Sequence, residues 1–151
     1  MSRVAAILCA LVCACTDVEN GPAGDPAGTL SEPIFRCSVE PVLVRECSYN
    51  GCHGQQSALR VYSPGKLRAT PPANIDEAVA PLTEAEHHAN FLSAAGFAFG
   101  GVAADDNLLV RKPLPSSDGG FSHFGGAIFS GLQDAQYVAI HDWLAGSGKC
   151  P

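Results

Sequence analysis

The feature that most constrains this chain is a pair of cysteines, Cys47 and Cys52, with His53 directly after the second one. Ser, Tyr, Asn and Gly separate the two thiols, a composition that favours a turn. Before this turn, apolar residues recur at steps of three and four, which predicts a helix over residues 34–47. A helix end and a turn therefore bring two thiols and an imidazole into one short segment.

Two cysteines followed at once by histidine form the attachment pattern of c-type haem, whose usual spacing is two residues. Here the spacing is four. In such an attachment the thiols add to the two vinyl groups of haem and the adjacent imidazole binds the iron. The extra residues must bulge outward, and we expect Asn50 and Gly51 to permit this by taking left-handed conformations.

On this motif the chain resembles the c-type cytochromes, and most closely single-haem cytochrome domains of exported bacterial proteins, over about residues 34–145. Four-residue spacings of this kind occur in some multihaem members of that superfamily. The resemblance implies a small all-α domain with extensive loops, whose N- and C-terminal helices pack around one haem. It also implies Cys47 and Cys52 as attachment points and His53 as the proximal ligand.

Two other chemistries fit the same three residues. In an exported protein, Cys47 and Cys52 can close a small disulfide loop with His53 uninvolved. They can also bind zinc together with His53 and a fourth ligand, although structural zinc sites usually have a second pair of ligands elsewhere.

Two further helices complete the order of elements that the resemblance implies. Thr83 and Glu86 form a capping box, preceded by Leu82 as a hydrophobic staple, and predict a helix over 83–95. An apolar stripe of Tyr137, Ile140 and Leu144, with Trp143 beside it, predicts a helix over 134–145. Gly146 follows the stripe and is expected to end the helix. Between the helices we expect loops, including 59–80.

Methionine is excluded as the second axial ligand of the iron, because the only methionine is the initiator. The candidates weighed for that position are the four histidines besides His53, namely His87, His88, His123 and His141. We expect His87 and His88 to be solvated, with Ala85, Ala89 and Leu92 facing inward. We expect His141 to be a partly buried, hydrogen-bonded residue of the last helix.

His123 is the predicted distal ligand. It lies in a glycine-rich loop before the last helix, which is where the resemblance places that ligand. Glycines on both sides let the backbone approach the haem face, and we expect Phe121 and Phe124 to cover the ring. A water-bound or open iron is the alternative.

The N-terminus predicts export and a lipid anchor. A short apolar run ends in Val12-Cys13-Ala14-Cys15, which resembles a bacterial lipobox, and it is too short to span a bilayer. This predicts a lipoprotein signal peptide over 1–14, acylation of Cys15, a flexible tether over 15–32, and a folded domain over 33–151. An ordinary cleaved signal peptide is the alternative.

Cysteine usage fits an oxidising compartment, with seven cysteines in 151 residues. Cys9 and Cys13 leave with the signal peptide, Cys15 takes lipid, and two cysteines take haem. Cys37 and Cys150 remain as an even pair, which we expect to form a disulfide if the first and last helices pack together.

Charge and motifs narrow the function classes. The formal charge is −6 at pH 7 and no basic run occurs, which excludes a nucleic-acid binder. No Ser-His-Asp order, phosphate-binding loop or paired-carboxylate motif stands out in the sequence. We therefore expect a membrane-tethered electron-transfer protein of the cell envelope with one haem c, acting on redox partner proteins. The alternative is a lipid-anchored binding or sensor domain, with an open haem site or with no haem and a Cys47–Cys52 disulfide.

Overall fold

A computed structural model describes residues 30–55, 57–98 and 102–151 of the chain. Within these ranges the protein consists of helices, turns and loops, without a β-strand. The predicted all-α class with extensive loops is confirmed at this level. No helix in the described part is long and apolar enough to cross a membrane.

The described residues begin at Leu30, shortly before the predicted domain start at Pro33. Leu30 already packs against the core. The predicted signal peptide over 1–14, most of the predicted tether over 15–32, and Cys15 with its lipid lie outside the described residues.

The described residues form five helices. The first, α1, spans residues 32–47 in four consecutive segments: Glu32–Ile34, Phe35–Val39, Glu40–Val42 and Leu43–Cys47. The others are α2 (Ile75–Val79), α3 (Glu84–Ala95), α4 (Leu108–Arg111) and α5 (Ala135–Leu144), with 3₁₀ turns at Ala104–Asp106 and Ser116–Asp118. Helix α2 lies in the segment predicted as loop; Asn74 caps it by accepting a hydrogen bond from the Glu77 amide at 2.9 Å.

Helix α1 continues through Pro41, which has no N–H for the carbonyl of Cys37, four residues earlier. Its second and fourth segments are π-helical, and the Glu40 amide donates to the Phe35 carbonyl, five residues back. A wider turn next to a proline relieves the clash between its ring and the preceding turn. The predicted helix therefore forms without breaking at the proline.

The core lies where α1, α3 and α5 meet. The ring of Phe35 is 5.3 Å from that of Trp143 and 5.7 Å from that of Phe91, measured between centroids. The indole nitrogen of Trp143 donates to the Ser31 carbonyl at 3.1 Å, which ties α5 to the start of α1. Trp143 rather than the half-buried Leu144 is the central residue of the α5 stripe.

Helix α3 begins as predicted, because both hydrogen bonds of the Thr83–Glu86 capping box are present. Its predicted inward face is wrong: Ala85 and Leu92 are exposed, and Glu86 and Asn90 are buried instead. Two polar partners from other elements cause this difference. Arg68 reaches Glu86, and the buried carboxylate of Glu40 accepts from the Asn90 amide at 2.8 Å.

The Arg68–Glu86 pair fastens the loop before α3 to that helix. The carboxylate of Glu86 accepts from both Nε and Nη2 of Arg68, at 2.9 and 2.8 Å, and from the Ala69 amide at 2.9 Å. Arg68 also donates to four backbone carbonyls between residues 77 and 81. These bonds hold the pKa of Glu86 at about 2, mainly through the Arg68 hydrogen bonds.

Glu86→Gln is expected to lower the free energy of unfolding at pH 7 by about 2 kcal/mol, because charge-assisted bonds at a buried carboxylate are lost. The folded-state pKa lies below the ordinary value of 4.5, so this stabilisation is present above that value and is lost as the pH falls toward about 2. Denaturant unfolding at pH 7 and at about pH 3 measures both effects. Glu84→Gln, at an exposed carboxylate, is the matched control, and equal losses for the two variants contradict the prediction.

The first and last parts of the domain also meet at Cys37 and Cys150. Their sulfur atoms lie at bonding distance and their Cα atoms are 5.3 Å apart, which is ordinary disulfide geometry. Cys37 lies on α1 and Cys150 follows α5, so the contact arises from the packing of these two helices.

Candidate functional site

A cavity of about 230 Å³ lies at the end of α1, beside α4 and α5. His53, residues 57–59 and the loop that carries His123 line its other sides. Its wall is mostly apolar, and the polar or titratable side chains in it are Cys47, His53, Ser57, Lys112 and His123. The apolar lining residues are Leu43, Ala58, Leu59, Phe97, Leu108, Leu109 and Ile140.

His53 is held at the cavity by the turn that follows α1. Its amide donates to the Cys47 carbonyl at 3.2 Å, and Nδ1 of the ring lies 3.0 Å from the Leu59 carbonyl and 2.9 Å from Oγ of Ser57. A carbonyl only accepts, so Nδ1 carries the proton in this contact. Burial lowers the pKa of His53, which favours the neutral ring with its lone pair on Nε2.

His123 is held by its own loop. Nδ1 lies 3.4 Å from the Gly126 carbonyl, and the Gly126 amide donates back to the His123 carbonyl at 2.9 Å. A Cβ atom on Gly125 would lie 3.0 Å from Cε1 of the imidazole, so this glycine lets the ring rest against the backbone. Gly125 is therefore the glycine next to His123 against which the ring packs.

Both imidazoles line the cavity, and their rings are nearly parallel. Their planes differ by 14° and their centroids are 6.1 Å apart. Metal–imidazole bonds are about 2.0–2.1 Å long and a ring centroid lies roughly 1.1 Å beyond the bonded nitrogen, so opposite imidazoles of one metal ion have centroids about 6.3 Å apart. With both Nδ1 atoms bonded to backbone carbonyls, the Nε2 atoms are the ones available to a metal, as is usual for ligating histidines.

The two motif cysteines differ in their placement. Cys47 lines the cavity, and burial raises its pKa to about 12, so its thiol is protonated. Cys52 is exposed on the turn and is not among the residues that line the cavity. Both are free thiols, so the Cys47–Cys52 disulfide of the alternative hypothesis is not formed here.

The turn bulges outward as expected, but with one left-handed residue instead of two. Gly51 has φ +86°, and no residue other than glycine has a positive φ within the described chain. Asn50 therefore does not take the predicted left-handed conformation. The Cys52 amide donates to the Tyr49 carbonyl at 2.9 Å, which closes the turn with a single positive φ.

Lys66 supports this turn from another segment of the chain. Its ammonium group donates to the Val44 carbonyl at 3.3 Å and to Oγ of Ser48 at 3.0 Å, and lies 3.7 Å from the centre of the Tyr49 ring. A cation at the C-terminal end of a helix stabilises the unpaired carbonyls there. A lysine far along the chain from α1 carries no sequence signal for this role.

Gly54→Ala is expected to disturb the site, because the added Cβ would lie 2.6 Å from the Ser48 carbonyl oxygen and 3.0 Å from that of Tyr49. Backbone atoms cannot move away singly, so the turn must shift and carry His53 with it. We expect a loss of about 1–3 kcal/mol in unfolding free energy, measured by denaturant unfolding. Gly51→Ala is the matched control, since nothing lies within 4 Å of its Cβ and only the strain of a positive φ is added. Equal unfolding free energies for the parent and Gly54→Ala contradict the prediction.

The remaining histidines are bonded to carboxylates away from the cavity. Nδ1 of His87 lies 2.6 Å from Glu40, and Nδ1 of His88 lies 3.0 Å from Glu32. His88 is exposed as predicted, whereas His87 is half-buried, since Glu40 of α1 draws it inward. His141 is half-buried between Asp105 and Asp142, at 3.1 and 3.2 Å, in agreement with its prediction.

The two phenylalanines beside His123 do not cover the cavity, which contradicts their predicted role. Phe124 is 98% exposed, and Phe121 packs over the guanidinium of Arg111, 4.0 Å from the ring centre. The Phe121 amide donates to the Arg111 carbonyl at 3.0 Å, which directs its ring to that residue. Apolar cover comes instead from α1, α4 and α5.

No group of three or more His, Cys, Asp or Glu side chains suited to a metal ion occurs in the described ranges. A larger cavity of about 730 Å³ lies between α1 and α5 beside Cys150, away from both imidazoles.

No protein-family model, curated protein or solved structure matches this chain.

Proposed function

We propose that this chain is a membrane-tethered electron-transfer protein that carries one haem c, with His53 and His123 as the axial ligands. The observation that carries the proposal is the parallel imidazole pair, 6.1 Å between centroids, with each Nδ1 held by a backbone carbonyl. Two opposed imidazoles suit a metal whose other ligands come from a macrocycle. When bound, haem supplies a one-electron ferric–ferrous couple.

The cysteines support covalent attachment to different degrees. Cys47 lies in the cavity wall as a protonated thiol, and its S–H would add across a vinyl double bond, the sulfur taking one carbon and the hydrogen the other. Cys52 must approach by a change in the turn, for which Gly51 and its empty surroundings give room. The proposal therefore expects residues 49–54 to rearrange on attachment.

The protein's own residues set the potential and the access to the iron. Two imidazoles give a lower potential than His/Met ligation, and the only methionine is Met1. The cavity volume of about 230 Å³ is below the roughly 300–1,000 Å³ of pockets that enclose a ligand, so haem would occupy it only with part of the macrocycle outside the cavity. An exposed edge suits electron exchange with another protein. The acidic charge of −6 would steer the chain toward basic faces of redox partners.

The deciding experiment is a pyridine haemochrome spectrum of the full chain expressed in a host with working haem c maturation. We expect one haem per chain, and colour that stays with the polypeptide after acid–acetone extraction. The Cys47→Ala/Cys52→Ala variant is the matched control, in which the colour should be extracted. Colourless parent protein contradicts the proposal, and high-spin parent protein that binds carbon monoxide favours the sensor function with an open site.

The membrane tether is a separate part of the proposal and has its own test. The lipobox-like Val12–Cys15 segment predicts a mature N-terminus at acylated Cys15. Mass spectrometry of the purified protein should show a diacyl or triacyl mass on that residue. An unmodified Cys15, or a mature N-terminus at another position, contradicts the anchor while leaving the haem proposal intact.

A further inference from the structure

The cavity between His53 and His123 contains a cation but no carboxylate. Lys112 is the lysine that lines it; the other titratable side chains in the lining are Cys47, His53 and His123, and neither Asp nor Glu is among them. An ammonium group at an apolar cavity favours an anionic group on whatever occupies it.

Lys112 also lacks a partner within the described part of the protein. Arg36, Arg45, Arg68 and Arg111 each pair with a carboxylate, at distances from 2.5 to 3.2 Å. Among the bonds of the described residues, Lys112 makes only the backbone bond from its amide to the Leu108 carbonyl, at 3.2 Å. Its ammonium group is therefore available to a ligand.

The position of Lys112 suits the mouth of the cavity. It directly follows α4, whose Leu108 and Leu109 line the same wall, and its side chain is exposed. A ligand here meets apolar walls and two imidazoles inside, and a cation at the solvent edge.

We propose that Lys112 binds a carboxylate of the ligand held between His53 and His123, so that the carboxylate edge of that ligand faces the α4 side of the cavity mouth. The inference rests on the proposed function, since haem is a largely apolar macrocycle with two carboxylates on one edge. It adds an orientation that ligation by two imidazoles does not specify, because the macrocycle can rotate about the axis between them.

The test compares two ligands that differ only in these carboxylates. Full-length chain produced without haem maturation is titrated with haem and with haem dimethyl ester, and the Soret band gives both dissociation constants. An ion pair at a partly exposed site contributes about 1 kcal/mol, so Lys112→Met should reduce the preference for haem over the ester about five-fold. The parent's preference for haem over the ester, divided by that of Lys112→Met, isolates the contribution of the ion pair. The hydrophobic difference between the two ligands is the same for both proteins and cancels in this ratio.

Two variants control for other effects of the substitution. Lys112→Arg keeps the charge and should retain the parental preference. Lys149→Met removes an exposed cation beside the larger cavity and should also retain it. If Lys112→Met keeps the parental preference, Lys112 does not bind the carboxylate while the haem proposal stands. If the parent binds neither ligand, the inference is wrong, whereas the proposed function is decided separately by the haemochrome spectrum of the matured protein.

Discussion

His123→Ala is expected to change the proposed haem protein from six-coordinate and low-spin to high-spin with water at the ferric iron, and to make the ferrous form reactive to carbon monoxide. The His123 ring lies 6.1 Å from that of His53 between centroids, with planes 14° apart, and no other imidazole lines the cavity. In the proposed protein the thioethers and His53 would still hold the haem, so the colour should remain. Absorption spectra of the ferric, ferrous and carbon monoxide forms measure the change, which we expect to be complete.

The other histidines supply matched controls for this variant. His87→Ala, His88→Ala and His141→Ala remove rings that pair with Glu40, Glu32 and Asp105 instead of lining the cavity. Each should keep the low-spin spectrum. A parental spectrum in His123→Ala, together with a high-spin spectrum in one of these three, would transfer the ligand role to that histidine.

Cys37→Ser/Cys150→Ser is expected to produce the largest loss of stability in this domain. The pair joins residues separated by 113 positions, and the chain-entropy model gives an upper figure of about 4–5 kcal/mol for closing a loop of that length. The loss comes from the greater freedom of the unfolded chain. Denaturant unfolding of the oxidised parent and of the double variant measures it.

Treatment with a reductant distinguishes the disulfide from a packing effect of the serines. The parent should lose most of this stability when reduced, whereas the double variant should not respond. Non-reducing peptide mapping should recover Cys37 and Cys150 in one linked peptide. Recovery of both as free thiols contradicts the pairing.

The three long helices, α1, α3 and α5, were predictable because their signals are local. The stripe from Phe35 to Leu43 is buried along α1, and the Thr83 capping box starts α3. The buried face of α3 was not predictable in the same way, since Glu86 is an acceptable buried residue only where Arg68 reaches it from another segment. Helical periodicity records how apolar a residue is and contains no information on a distant polar partner.

The sequence by itself determined the candidate ligands: thiols and an imidazole in one turn, a glycine-flanked His123 in a late loop, and a single methionine at the start. Only the tertiary structure decided which side chains meet. It places the His123 ring nearly parallel to that of His53, turns Phe124 to solvent, leaves Cys52 outside the cavity wall, and brings Lys112 to the cavity mouth. The reason is that a residue type and its local spacing specify what chemistry a side chain can perform. The direction in which that side chain points depends on contacts between segments far apart in the chain.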